Sequence, residues 1–248
     1  MKFSYIEEDG EIVAIDNSQY HNEVSKKKYN LLLKNSGIPD FYHNIEFEHY
    51  KGNKESEAFK KILYYANNCY KEEFNFVSLY IYGINNTQKT ALACNILKQC
   101  MKKGLKAKFI LAGVLIDKLM KLQGFHQNEQ LYYEVENIKK CDVLLIDDIF
   151  DPDKSLIWKN SDNKNMIVSE WDIFLRDILS KKVKLIITSN FDKTIIKQYY
   201  GDSLYELIDR NFVEIECIDS IKEVRKLSVS LAFQNMYDKK EETCQKPK

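Results

Sequence analysis

The 248-residue sequence has no CxxC pair, only 3 Pro and 8 Gly, and no excess of either charge: 37 Lys+Arg stand against 37 Asp+Glu. Its six Cys are scattered (69, 94, 100, 141, 217, 244), which argues against a zinc site and a disulfide framework. Net neutrality excludes a generally basic nucleic-acid coat but leaves room for a local basic groove. The apolar runs, such as LLI at 144–146 and LII at 185–187, are far short of the ~20 residues that span a bilayer. The opening MKFSYIEEDG turns acidic at once and lacks the basic-then-apolar order of a secretory signal, so a cytoplasmic protein with no membrane association is expected.

With 44% hydrophobic residues the chain can fill a core, and its length fits one main domain with an appendage. Residues 1–35 are polar and Lys/Asn-rich and read as a frayed or weakly helical extension. SGIPDFYHNIEFEHY begins an irregular aromatic strap over 36–54, with the aromatics as packing anchors. ESEAFKKILYYANNCY (55–70) has helical spacing. From there strands alternate with helices: strands at 75–83, 107–112, 141–147, 183–190 and 212–217, helices at 90–104, 114–123 and 170–181, and a helical region at 194–211. This order calls for an α/β fold with a five-stranded parallel sheet flanked by helices. The segment 151–169 reads as a long loop, the core extends over 55–238, and 239–248 is a polar tail.

Chemistry concentrates at strand ends. Gly83-Ile84-Asn85-Asn86-Thr87-Gln88-Lys89-Thr90, between a strand and a helix, has the parts of a phosphate-binding loop. A glycine leads the turn, the backbone through Ala91 can wrap an anion, Lys89 can reach the β- and γ-phosphates, and Thr90 can ligate Mg²⁺. Gln88 departs from the pattern, which asks for Gly before the Lys. Its side chain either crowds the phosphate at a strain of ~1–3 kcal/mol or points outward. The buried strand CDVLLIDD ends in two acids, Asp147 for the metal shell and Asp148 to polarise an attacking water. LIITSN sets Thr188, Ser189 and Asn190 at another strand end, where open α/β sheets bind ligands, and Asn190 is placed to orient the water. Arg210 and Arg225 follow as candidates for stabilising a transferring phosphate, in cis or across a subunit interface.

GINNTQKT, LLIDD, ITSN and LYELIDR, in this order, resemble the AAA+ ATPases of the DnaC/DnaI-type helicase-loader group, and the related IstB-type transposition ATPases are similar. SGIP…F..Y resembles the strap before the ATPase core of those proteins. The resemblance covers about 36–230. It implies a P-loop NTPase with an AAA+ core and no C-terminal helical lid domain, hydrolysing ATP with Mg²⁺. It implies that Lys89 and Thr90 bind nucleotide and Mg²⁺, that Asp147 and Asp148 form the Walker B pair, and that Asn190 is the first sensor. Arg210 corresponds to a trans-acting arginine finger and Arg225 to the second sensor arginine. The implied partners are a hexameric replicative helicase, single-stranded DNA and further copies of the chain in a nucleotide-dependent oligomer. Lys118, Lys121 and Phe125 fall in the stretch that contacts DNA in that group.

The departures are Gln88, Phe150 where loaders carry Gly, and the N-terminal region. No Cys precedes Cys69, so a zinc module is not expected; a short segment such as YNLLL (29–33) would have to hold the partner, which fits a trimmed phage or mobile-element version. Two other readings stay open: an IstB-type ATPase acting on duplex DNA, and a degenerate P-loop regulator without efficient hydrolysis.

Overall fold

The computed structural model describes residues 3–8, 11–123, 129–151 and 161–219. Its centre is a five-stranded sheet, every strand pair parallel, formed by β3 (Ser78–Tyr82), β4 (Ala107–Leu111), β5 (Val143–Asp147), β6 (Lys184–Ser189) and β7 (Phe212–Glu216). The strand order is β4-β5-β6-β3-β7. The three central strands are near-continuous apolar runs because both faces are covered, as parallel sheets require. Alternate residues serve opposite faces: Tyr80, Leu144, Ile146, Leu185 and Ile187 join one core, while Leu79, Ile81, Val143, Leu145 and Ile186 join the other.

The second core is closed by α2 (Glu57–Asn68), α3 (Lys89–Lys102) and the strap. Ser56 caps α2, its Oγ accepting from Phe59 N–H at 3.3 Å. The first core is closed by α4 (Ala112–Leu122), α6 (Ser161–Ser180), α7 (Lys193–Tyr200) and α8 (Asp202–Asn211). Asp192 caps α7 through the N–H groups of Thr194 and Ile195, and Gly201, at φ 89°, splits the expected helical region in two. A further helix, α5 (Glu129–Lys139), fills a stretch in which no helix was expected. The expected loop at 151–169 is also corrected: α6 begins at Ser161 and runs without a break into the amphipathic segment.

The first 35 residues differ most from the sequence reading. They form an antiparallel hairpin, β1 (Phe3–Glu8) with β2 (Glu11–Asp16), then an 18-residue helix, α1 (Asn17–Lys34). YNLLL is not a free docking face. Tyr29, Leu32 and Leu33 pack on the core beside α3, leaving Leu31 exposed. Just after α1, Phe109 N–H donates to Ser36 O at 2.7 Å, so the strap covers the outer edge of β4 that would otherwise present unpaired donors.

The strap does anchor itself by aromatics. Phe47 and Tyr50 are buried against Phe59 of α2, the Tyr50 ring stacked 4.8 Å from it. It is also held by a cation. Lys98 of α3 is fully buried, and its ammonium donates to the backbone carbonyls of Tyr42 (3.0 Å), His43 (3.3 Å) and Ile45. Glu46 lies 3.6 Å away. A buried ammonium is tolerable only when its donors are satisfied, and burial still lowers the Lys98 pKa. Among the described residues no helix is long and apolar enough to cross a membrane.

Candidate functional site

Strand order explains why distant motifs meet. β3, β6 and β5 are neighbours, and the chain leaves β3 for β4 at the far edge, so a crevice opens at the C-terminal ends of the central strands. Into it come the loop after β3, Asp147 and Asp148 from β5, and Thr188 and Asn190 from β6. They line one cleft of about 610 Å³, with Asn85, Asn86, Thr87, Gln88, Lys89, Thr90 and Ala91 along its floor.

The loop has the backbone of an anion cradle. Gly83 sits at φ 145°, where a Cβ would lie 2.1 Å from Cys217 O, so only Gly fits. Asn86 (φ 68°) and Gln88 (φ 60°) are both left-handed, turning the chain back before α3 begins at Lys89. The Lys89 ammonium folds onto its own loop, donating to Gly83 O at 2.7 Å and Ile84 O at 2.9 Å. It is therefore centred on the cradle, at the amino end of a 14-residue helix whose dipole favours an anion.

Opposite the loop, Thr90 Oγ1 donates to Asp147 Oδ1 at 2.8 Å, and Thr188 Oγ1 donates to the same oxygen at 2.6 Å. Burial raises the Asp147 pKa, with these two hydrogen bonds opposing the rise. Asp148 stands at φ 62°, its N–H donating to Thr188 Oγ1 at 3.0 Å and its carboxylate accepting from Asn190 Nδ2 at 3.1 Å. The two acids thus divide: Asp147 turns inward to Thr90, Asp148 turns toward Asn190. Among the described residues no group of three His, Cys, Asp or Glu could hold a metal by itself. The donor set suits Mg²⁺, which takes one or two protein ligands and completes its shell from phosphate and water.

Gln88 points outward: its Oε1 accepts from Lys51 N–H of the strap at 3.0 Å. Phe150 stands where the loaders carry Gly. It keeps the left-handed backbone a Gly would take (φ 61°) and buries its ring 4.9 Å from Tyr200 and 6.3 Å from Trp171.

Other expected residues lie away from the cleft lining. Arg210, near the end of α8, is exposed and pairs with Glu206 at 2.6 Å. Lys118 and Lys121 lie on α4, paired with Glu134 and with Asp117, so their charges are partly neutralised. Phe125 and Arg225 lie outside the described residues, as does any segment bearing on the lid. Thr188, set at the strand end by ITSN, bridges both acids. One part of the site was passed over. The strap wall of Phe41, Tyr42, Asn44, Ile45, His49 and Lys51 had no signal beyond its aromatic content.

No family model matches the chain. A 99-residue stretch is 27% identical to botulinum neurotoxin type C of Clostridium botulinum C phage, but this covers 39% of the chain and only 7% of that protein. Solved structures are more informative. The DnaC helicase loader superposes with a TM-score of 0.56 and 20% identity, over 72% of this chain and 99% of that one. DnaI gives 0.53 and 18%, over 73% and 95%. The replication initiator DnaA bound to AMPPCP and single-stranded DNA gives 0.54 and 18%, over 71% of this chain and about half (51%) of that one. At such identities the likeness speaks for the fold alone: this chain shares the α/β fold of the DnaC helicase loader, DnaI and DnaA.

Proposed function

We propose that the protein is an ATP-dependent loader for a hexameric replicative helicase, acting with single-stranded DNA at the initiation of replication. The observation that carries the ATPase part is the convergence of Lys89, Thr90, Asp147, Asp148, Thr188 and Asn190 on one cleft beside a helix amino end. The loader part is supported by the strap and by the fold shared with the DnaC helicase loader and DnaI.

In this reading the triphosphate lies along the loop and Lys89 leaves its carbonyl contacts to meet the β- and γ-phosphates. Thr90 and Asp147 would hold Mg²⁺, whose charge would offset that of the phosphates. Thr188 holds both acids in register. Asp148 and Asn190 orient the water that attacks the γ-phosphorus; the phosphorus–oxygen bond to ADP breaks as the new one forms, and the products are ADP and phosphate. Catalysis is then positioning and electrostatics. The base lies toward the strap, where Phe41, Tyr42 and Ile45 supply an apolar wall. Arg210, exposed on α8, serves a neighbouring subunit's nucleotide, and Arg225 the same subunit's. Lys118, Lys121 and Phe125 contact DNA, with base stacking on Phe125 contributing ~1–3 kcal/mol.

The test is a tagged-protein pull-down from lysate of the source organism with Mg²⁺-ATP, run beside Lys89→Ala. Recovery of a hexameric replicative helicase by wild type, reduced in the variant, supports the reading. Recovery of a transposase, with a preference for duplex over single-stranded DNA, replaces it with the transposition ATPase. Nucleotide binding undiminished by Lys89→Ala refutes the site.

A further inference from the structure

Gln88 occupies the one P-loop position where a side chain is least expected, and it does so in left-handed backbone that favours Gly. Something other than the loop's own geometry must account for a long side chain there. Its Oε1 takes the Lys51 N–H at 3.0 Å, and because a backbone N–H can only donate, the amide orientation is unambiguous.

The contact joins two segments 37 residues apart in sequence, on either side of the cleft. The strap is then held to α3 at two places. Its start is fixed by Lys98 under the carbonyls of Tyr42, His43 and Ile45, with Lys102 Nζ 3.5 Å from Glu46. Its end is fixed by Gln88, the residue just before the phosphate-binding helix α3. Asn44 and Ile45, within the first tie, and His49, between the two, line the cleft.

We propose that Gln88 is a positioning residue for the nucleoside end of the ligand: it ties the strap to the P-loop so that the wall of the base pocket keeps a fixed distance from the phosphate cradle. This rests on the reading of the cleft as a nucleotide site and adds to it a division of labour. Lys89 and the loop N–H groups grip phosphate, whereas Gln88 acts on the base only through the strap. It is not a substitute for the missing Gly and has no contact with phosphate to lose.

The experiment compares two ligands that differ only in having a nucleoside. Binding of ATP and of inorganic tripolyphosphate, each with Mg²⁺, is measured by calorimetry for wild type, Gln88→Gly and Gln88→Asn. Asn keeps an amide and tolerates left-handed backbone but is one methylene too short to reach Lys51. Both substitutions are expected to weaken ATP about 3- to 10-fold, the scale of one lost hydrogen bond, and to move tripolyphosphate by less than about 2-fold. The Lys51 amide should exchange with solvent faster in both variants by the same order.

Equal weakening of both ligands would assign Gln88 to the phosphates and overturn the proposal. An unchanged ratio of the two affinities, with wild type binding both, would also overturn it while leaving the nucleotide site standing. Wild type that binds neither ligand overturns the proposal together with the nucleotide reading.

Discussion

Asp147 carries a conflict between folding and chemistry. Burial raises its pKa, so below the ordinary carboxylate pKa the neutral group contributes stability that is lost as pH rises through the raised folded value. At neutral pH the ion-free protein therefore holds a destabilised carboxylate. Asp147→Asn should raise the melting temperature of the nucleotide-free protein at pH 7 by about 2–4 °C, with the gain shrinking as pH falls. The same variant should lower Mg²⁺-dependent ATP hydrolysis by about 100-fold or more, read by phosphate release. Calorimetric scans at two pH values check the sign, and a variant less stable at both would refute the account. The acid pair was legible because a buried strand ending in Asp-Asp admits few other uses. The destination of Gln88 was not, since its partner is a backbone N–H 37 residues upstream and carries no side-chain signature.

Elements were legible in proportion to how fully they are buried. The strands of the central sheet could be read within a few residues because burial on both faces makes their apolar runs continuous. α5 gave no stripe to read, since Val135 is its one fully buried side chain. The start of α6 was obscured by Asn, Asp and Lys at 160–165, residues common in loops. The hairpin of β1 and β2 was missed for a different reason. Asp9-Gly10 between alternating segments is a strong turn signal, but the polar composition around it was weighted instead.

At this scale Gly83 is decisive: it lets β3 end against the exit of β7, where Cys217 N–H donates to Tyr82 O at 2.7 Å. Gly83→Ala would drive a methyl group into Cys217 O and strain the backbone. It should cost ~2–5 kcal/mol in urea unfolding, with nucleotide affinity lost in whatever fraction stays folded. Stability unchanged by Ala would show that β7 can shift away.

For the whole molecule, the exposed position of Arg210 makes a prediction about assembly. Among the described residues its guanidinium pairs with Glu206 four residues earlier on the same helix, an exposed pair of small energetic worth that a phosphate can displace. If Arg210 serves a neighbour, Arg210→Ala and Lys89→Ala are each inactive alone but complement when mixed. Subunits with an intact cradle then meet subunits with an intact arginine. About a quarter of wild-type ATPase activity is expected from an equimolar mixture, a figure that follows from random pairing at each interface and supposes an arginine finger's usual large effect. A mixture as inactive as its parts would assign Arg210 elsewhere.

The ammonium of Lys98 has a consequence for the history and engineering of the chain. It closes a ring of strap carbonyls much as an encapsulated cation would, so neither partner can be exchanged alone. A strap grafted from a relative without a lysine at this turn of α3 would bring carbonyls with nothing to bind. A relative's α3 grafted here would leave the same carbonyls empty. Strap and helix form a single unit of inheritance, and chimaeras between such proteins should be cut after α3 rather than between residues 50 and 90.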